Sequence, residues 1–271
     1  MLNRVRKGLE CAIRTANWHP FWRQEVRLRQ FRLVVPSFDR WLYTRLHLLR
    51  LMGREEVSFF SHYVKPGMTV VDVGANIGLY SLVFASLVGD SGRVFAFEPS
   101  TALFEAAREN MALNGKGRIV VLENIALGSQ PGEAVLYKPP FNSGDNRLVP
   151  SRRHTSGLRV RVSRLDDALP PGTRIDWIKI DVQGWEVEVL RGMTATVGNN
   201  PWVRLYFEYW PAGLRHAGQG GEQLTRTLRT MGFSVFKPGR EQPLSEDELR
   251  RIAPGNKGVN LVACRSEGQP S

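Results

Sequence analysis

The sequence predicts an α/β fold built on a doubly wound sheet of about seven mainly parallel strands. Three observations predict it. Helical and strand patterns alternate from Glu55 onward, the strands are short and rich in β-branched residues, and a glycine-rich turn follows the first of them. A chain of 271 residues, 42% hydrophobic and 23% charged, accommodates one such domain plus an extension.

The elements follow in order. Residues 1–54 read as a basic N-terminal extension of helical character and residues 55–271 as the main domain. Leu2, Val5, Leu9, Ala12, Ile13 and Ala16 recur at helical spacing between Arg4, Lys7 and Arg14, a basic amphipathic pattern. That stripe suits either the edge of a domain or an anionic membrane surface, the latter as a peripheral contact. A second helix is expected near Asp39 to Met52, with Trp41, Leu42, Leu46 and Leu49 on one side. Then come helix Glu55 to Tyr63, stopped by Pro66-Gly67, strand Met68 to Val73, helix Ile77 to Val88 and strand Arg93 to Glu98. Helix Thr101 to Asn114 and strand Arg118 to Glu123 complete this half.

Residues 133–169 break the rhythm as an inserted loop or hairpin. Alternating segments Ala134 to Tyr137 and Leu158 to Val162 flank "PPFNSGDNRLVPSRRHTSG", which is too polar for core, and loops of that length in compact domains are usually functional. Alternation resumes with strand Ile175 to Asp181, helix Trp185 to Met193, strand Trp202 to Glu208 and helix Glu222 to Met231. Segments Phe233 to Phe236 and Gly258 to Cys264 close the sheet.

The formal net charge of +11 invites a nucleic-acid reading, but its distribution argues otherwise. Residues 1–54 hold 12 Lys/Arg against 3 Asp/Glu, so the excess belongs to the extension. Cys11 and Cys264 lie near opposite ends of the chain with no second Cys or His at metal spacing, so neither a disulfide framework nor a zinc knuckle is supported. With no apolar run long enough to span a bilayer and no secretory h-region, the expected location is cytoplasmic.

The chemistry concentrates at strand ends. "VVDVGANIGLYS" places Asp72, Gly74, Asn76 and Gly78, with Tyr80 just beyond, where the first strand hands over to a helix whose N-terminus offers free N–H groups. The second strand ends in Glu98, from which a carboxylate can accept the hydroxyls of an adenosine ribose. After the third, Asn124 and Ile125 offer a polar and an apolar wall for an adenine ring. Three successive strand ends thus supply one nucleoside site, although the turn is GxNxG and not the dinucleotide GxGxxG.

"VVDVGANIGLYSL", "VFAFEP", "NIALG" and "IDWIKIDVQGWEVEVLRG" resemble the FkbM family of S-adenosylmethionine-dependent methyltransferases, over about Pro66 to Cys264, with "KIDVQGWE" the most specific of these segments. The resemblance implies a class I methyltransferase, Rossmann-like sheet with a reversed last strand and bound S-adenosylmethionine. It also implies methylation of hydroxyl groups on sugars, glycolipids or secondary metabolites, some relatives methylating side-chain nitrogen in peptides instead. The expected partner is a small-molecule or glycan acceptor.

Methyl transfer to a hydroxyl needs the acceptor held in line and its proton removed. Asp181, at the end of the fourth strand, is the first candidate, with Lys179 as its ion-pair partner; Asp181 also suits the N-cap of the following helix. Glu208, closing the next strand, would lie beside it. Such a pair raises its own proton affinity or shares a divalent cation, for which no third ligand is identifiable. Gln183 and Glu186 are candidate acceptor contacts, Glu186 equally a helix-dipole partner, and Trp185 is read more as core than as platform. In the insert, Asp145, Asn146 and Arg147 form a candidate lid, and six basic residues from Arg147 to Arg164 would face an anionic or polyhydroxylated acceptor; a solvated hairpin is the plainer alternative, with His154 incidental. A base-amine nucleic-acid methyltransferase would need a D/N-P-P-Y/F turn where "DVQG" stands. A non-catalytic adenosine-binding module is opposed by the joint presence of Asp72, Gly74, Gly78, Glu98 and Asp181.

Overall fold

The structure, a computed structural model, describes residues 24–48, 53–139, 142–149, 156–252 and 258–265. The expected amphipathic helix at Leu2 to Ala16, Cys11, Leu49 and His154 lie outside the described residues. Where a helical extension was expected, residues 24–35 instead form an antiparallel hairpin of β1 (Gln24–Leu28) and β2 (Phe31–Val35). Its signal is a period of two: Val26, Leu28, Phe31, Leu33 and Val35 are buried, while Glu25, Arg27 and Arg32 are exposed.

The hairpin is joined to the body by an unusual edge. Asn110 and Asn114, one helical turn apart, meet the backbone of β2 as a neighbouring strand would. The Asn110 amide accepts from Val34 N at 2.6 Å and donates to Val34 O at 3.1 Å, and Asn114 does the same for Arg32 at 3.0 and 2.7 Å. Beyond the hairpin Asp39 caps the short helix Arg40–Tyr43, which continues as a wider turn over Thr44–Leu48 before helix Arg54–Tyr63.

The central sheet holds β3 (Thr69–Val73), β4 (Arg93–Phe97), β5 (Val120–Glu123), β9 (Trp177–Ile180), β10 (Arg204–Tyr209), β11 (Ser234–Phe236) and β12 (Val259–Cys264). Their order is β11-β12-β10-β9-β3-β4-β5. Only β12 runs antiparallel to its neighbours, the reversed strand that the resemblance implied. Strand residues alternate between two cores, as a sheet covered on both faces requires. Val71, Val73, Phe95, Ile178, Ile180 and Phe207 join helices Glu186–Arg191 and Gly221–Thr230; Val70, Val94, Ala96, Trp177 and Tyr206 join the hairpin and helices Arg54–Tyr63, Leu79–Val88 and Thr101–Leu113. Phe60, Phe84, Phe97, Trp177 and Phe207 are fully buried, each contributing roughly 1.5–3 kcal/mol.

The chain passes from β3 to β4 on one side and later to β9 on the other, so the sheet's switch point lies between β3 and β9, where open α/β folds bind ligands. The insert forms a separate sheet of β6 (Ala126–Leu127), β7 (Gly132–Lys138) and β8 (Ser156–Ser163), ordered β6-β8-β7. Among the described residues no helix is long and apolar enough to cross a membrane.

Candidate active site

A cleft opens at the switch point, where open α/β folds take their ligands. Its floor is the turn after β3. Asp181 N donates to Val73 O at 3.0 Å, which brings the ends of β3 and β9 side by side, and Gly74 sits at φ +83 with its Cα against the Asp181 carbonyl. A Cβ there would collide with that oxygen, so glycine is required both for the left-handed backbone and for the close approach. Asn76 adopts φ +54, which asparagine tolerates, and its N–H points at Glu98.

Glu98, 5% exposed, lines one side of the cleft. One carboxylate oxygen accepts from Asn76 N and the other from Ser100 N, both at 2.8 Å. Burial pushes its carboxyl up to about 7 against the opposing pull of those two N–H groups. Phe97, Leu103, Ile125 and Leu127 supply apolar walls. Asn124 does not line the cleft: its amide donates to Glu98 O at 2.8 Å and Pro99 O at 3.1 Å, bracing the strand end that carries Glu98.

Asp181 and Gln183 line the opposite side. Gln183 stands at φ +54, a left-handed conformation costly for a residue of its kind. In it the side-chain amide donates to Asp181 Oδ1 at 2.8 Å and to Glu208 Oε2 at 2.9 Å, so the two carboxylates share one nitrogen. Burial, then the charges of Asp181 and Glu186, push the Glu208 carboxyl up to about 8. Lys179 lies beneath, 3.6 Å from Asp181 and 3.5 Å from Asp72, with its ammonium over the Tyr80 ring at 5.0 Å. Burial lowers the Lys179 value, but the charges of Asp72 and Asp181 outweigh it and hold the ammonium above its ordinary range. No group of three or more potential metal ligands occurs among the described residues; the Asp181–Glu208 pair is spanned by an amide.

The roof is the insert. Ser143, Gly144, Asn146 and Leu148 line the cleft, with Leu136 of β7 beside them. Asn76 donates to Ser143 Oγ at 3.1 Å, tying roof to floor. Arg147 is 8% exposed, paired with Asp145 and seated 4.4 Å over the Trp210 ring, while its backbone exchanges hydrogen bonds with Tyr137. The Trp210 ring also packs on Gly213.

Several expectations are corrected. Glu186 is not an acceptor contact: it is fully buried, accepts from Gly184 N at 3.1 Å, and has its carboxyl raised to about 7 by burial. Asp72 is buried below the floor, where Ser81 donates to it at 2.7 Å, and Gly78 packs on Met111 and Ala107 as the cap of helix Leu79–Val88; neither reaches the cleft. Tyr80 also lies off the cleft, beneath Lys179. Asp145 and Arg147 secure the roof instead of lining it. The basic residues of the insert do not face the cleft among the described residues: Arg159 pairs with Glu133, Arg161 is exposed, and Arg164 holds Asp166. Trp185 both lines the cleft and packs on the core, with its indole N–H unpartnered. Ser143 was missed by sequence reasoning, because a serine in a polar loop carries no local sign of its partner; Asp39 and Trp210 were missed as parts of the roof's support.

A family model for the methyltransferase FkbM domain matches residues 72–235. Methyltransferase sdnD of Sordaria araneosa is 30% identical over 207 residues, 64% of this chain and 76% of that protein. Methyltransferase 1 of Beauveria bassiana is 31% identical over 148 residues, 46% of this chain and 57% of that protein. The hexuronic acid methyltransferase AglP of Haloferax volcanii is 28% identical over 166 residues, 60% of this chain and 62% of that protein.

Proposed function

From the premise that the chain belongs to the FkbM methyltransferase family and is an S-adenosylmethionine-dependent methyltransferase, we propose that it methylates a hydroxyl group of a sugar, glycolipid or secondary metabolite. The observation that carries this reading is the Asp181–Glu208 pair: Asp181 lines the cleft, and Glu208, off the lining, is bridged to it by one amide, with its carboxyl pushed up to about 8. A hydroxyl acceptor needs a proton acceptor poised near the working pH, which such a pair supplies. The similarity to a hexuronic acid methyltransferase supports a saccharide acceptor.

The cleft fits the cofactor. Gly74 lets the ends of β3 and β9 close together as the cleft's floor, apolar walls flank it, and Glu98 lies at its side. When bound, S-adenosylmethionine supplies an electrophilic methyl on a sulfonium. Glu98 and the backbone of residues 74–76 would hold the nucleoside and amino-acid parts, and Ile125 with Leu103 would enclose the base. Asp181 orients the acceptor hydroxyl and the Asp181–Glu208 pair takes its proton. Lys179 balances the charge of Asp181 from below, and the roof excludes water. The test is incubation of purified protein with S-adenosyl-[methyl-¹³C]methionine and panels of hydroxyl and amine acceptors. Ether-linked methyl in the product is expected; methyl on nitrogen alone would reassign the acceptor atom.

A further inference from the structure

We propose that Asp39, outside the family-matched region, is a positioning residue that sets the roof of the cofactor cleft. The inference rests on the assignment of the Glu98 side of that cleft to S-adenosylmethionine. Asp39 is fully buried in the segment that joins the N-terminal hairpin to the body. One carboxylate oxygen accepts from Leu42 N at 2.9 Å, which caps the short helix Arg40–Tyr43. The other accepts from Ser143 N at 2.9 Å, across 104 residues of sequence. Ser143 is the first residue of the one-turn helix in the roof, lines the cleft, and receives the Asn76 amide on its hydroxyl. Asp39, Ser143, Asn76 and Glu98 therefore form one hydrogen-bonded series that ends on the carboxylate at the cofactor's side.

A buried carboxylate needs compensation, and this one spends one oxygen on its own segment and one on the roof. A cap alone would need only one oxygen, and asparagine would serve it nearly as well. The second bond has no local purpose. It fixes the height of Ser143 over the turn at Gly74–Asn76, on which affinity for the cofactor depends. The hairpin adds a parallel tie, since Asn110, which holds Val34, also donates to Ile77 O at 2.8 Å, just after that turn.

The test is a double-variant cycle on the full chain, read as the Kd for S-adenosylhomocysteine by calorimetry, with Tm in parallel. Ser143→Pro removes the N–H that Asp39 accepts; proline suits the first position of a helical turn, and the extended Asn142 before it is compatible. Ser143→Ala keeps the N–H and loses only the hydroxyl. Asp39→Asn is expected to weaken binding about tenfold, the scale of one hydrogen bond to a charged group. Ser143→Pro should weaken it at least as much, Ser143→Ala less, and Asp39→Asn should add under threefold in the Ser143→Pro background. Full multiplication of the two effects, or an Asp39→Asn variant with lowered Tm and unchanged Kd, would reduce Asp39 to a helix cap and overturn the proposal. Failure of the unaltered protein to bind S-adenosylhomocysteine would instead overturn the cofactor assignment.

Discussion

On the Glu98 side of the cleft each carboxylate oxygen is answered by a backbone N–H, whereas on the Asp181 side the carboxylates answer one another through a single glutamine amide and one buried ammonium. The first arrangement is complete in itself and holds a fixed shape. The second is left with like charges close together and only partly compensated, which makes it receptive to a proton. In the proposed function the first side binds and the second exchanges a proton, and the line between them runs through the contact of Gly74 with the Asp181 carbonyl.

Breaking that line has the largest expected effect. Gly74→Ala must push a Cβ into the Asp181 carbonyl at a positive φ, so cofactor affinity measured by calorimetry is expected to fall by more than about a hundredfold. A near-normal Kd would mean that the two strand ends can separate freely.

The next variants distinguish the sides. Asp181→Asn is expected to lower kcat by roughly 10²–10⁴, with the Kd for S-adenosylhomocysteine changed only a few fold. Glu98→Ala is expected to raise that Kd by about ten- to a hundredfold while kcat at saturating cofactor falls far less. Equal loss of affinity in both would erase the division proposed for the cleft.

The pH dependence sharpens it. Proton acceptance needs the ionised form of the pair, so kcat/KM should rise with pH and level off above about 8, and Glu208→Gln should remove that inflection. Stability runs the opposite way. The folded Glu208 carboxyl keeps its proton up to about 8 while the unfolded chain loses it in the ordinary carboxylate range, so the unfolded state binds fewer protons between those limits. The Tm of the unliganded protein should therefore fall as pH rises from 5 to 8, with Glu98 and Glu186 contributing up to about 7, and Glu208→Gln should lessen the fall, most of all between 7 and 8.

The smallest effect is expected at Arg159 and Arg161, on the outward face of the insert. Alanine at either should leave KM for the acceptor unchanged and stability within about 0.5 kcal/mol. A marked rise in KM would return the basic strand to the acceptor side.

The sequence by itself determined the sheet, its strand ends and the floor of the cleft. Those features are written in short-range patterns: β-branched runs, helical periodicity, and glycines where the backbone must turn left-handed. The Asp181–Lys179 pairing was legible too, because residues two apart on a strand share a face. Tertiary structure alone decided which polar groups face the cleft. Asp181 directly follows its strand and Glu186 opens the next helix, and the left-handed turn at Gln183 and Gly184 between them leaves the first at the cleft while the second is buried. It alone revealed that Asp39 reaches Ser143 and that Asn110 and Asn114 act as a strand for β2. The physical reason is range. A periodic pattern is set by neighbours along the chain, whereas a buried polar side chain is satisfied by whatever partner packing brings within about 3 Å, however distant in sequence.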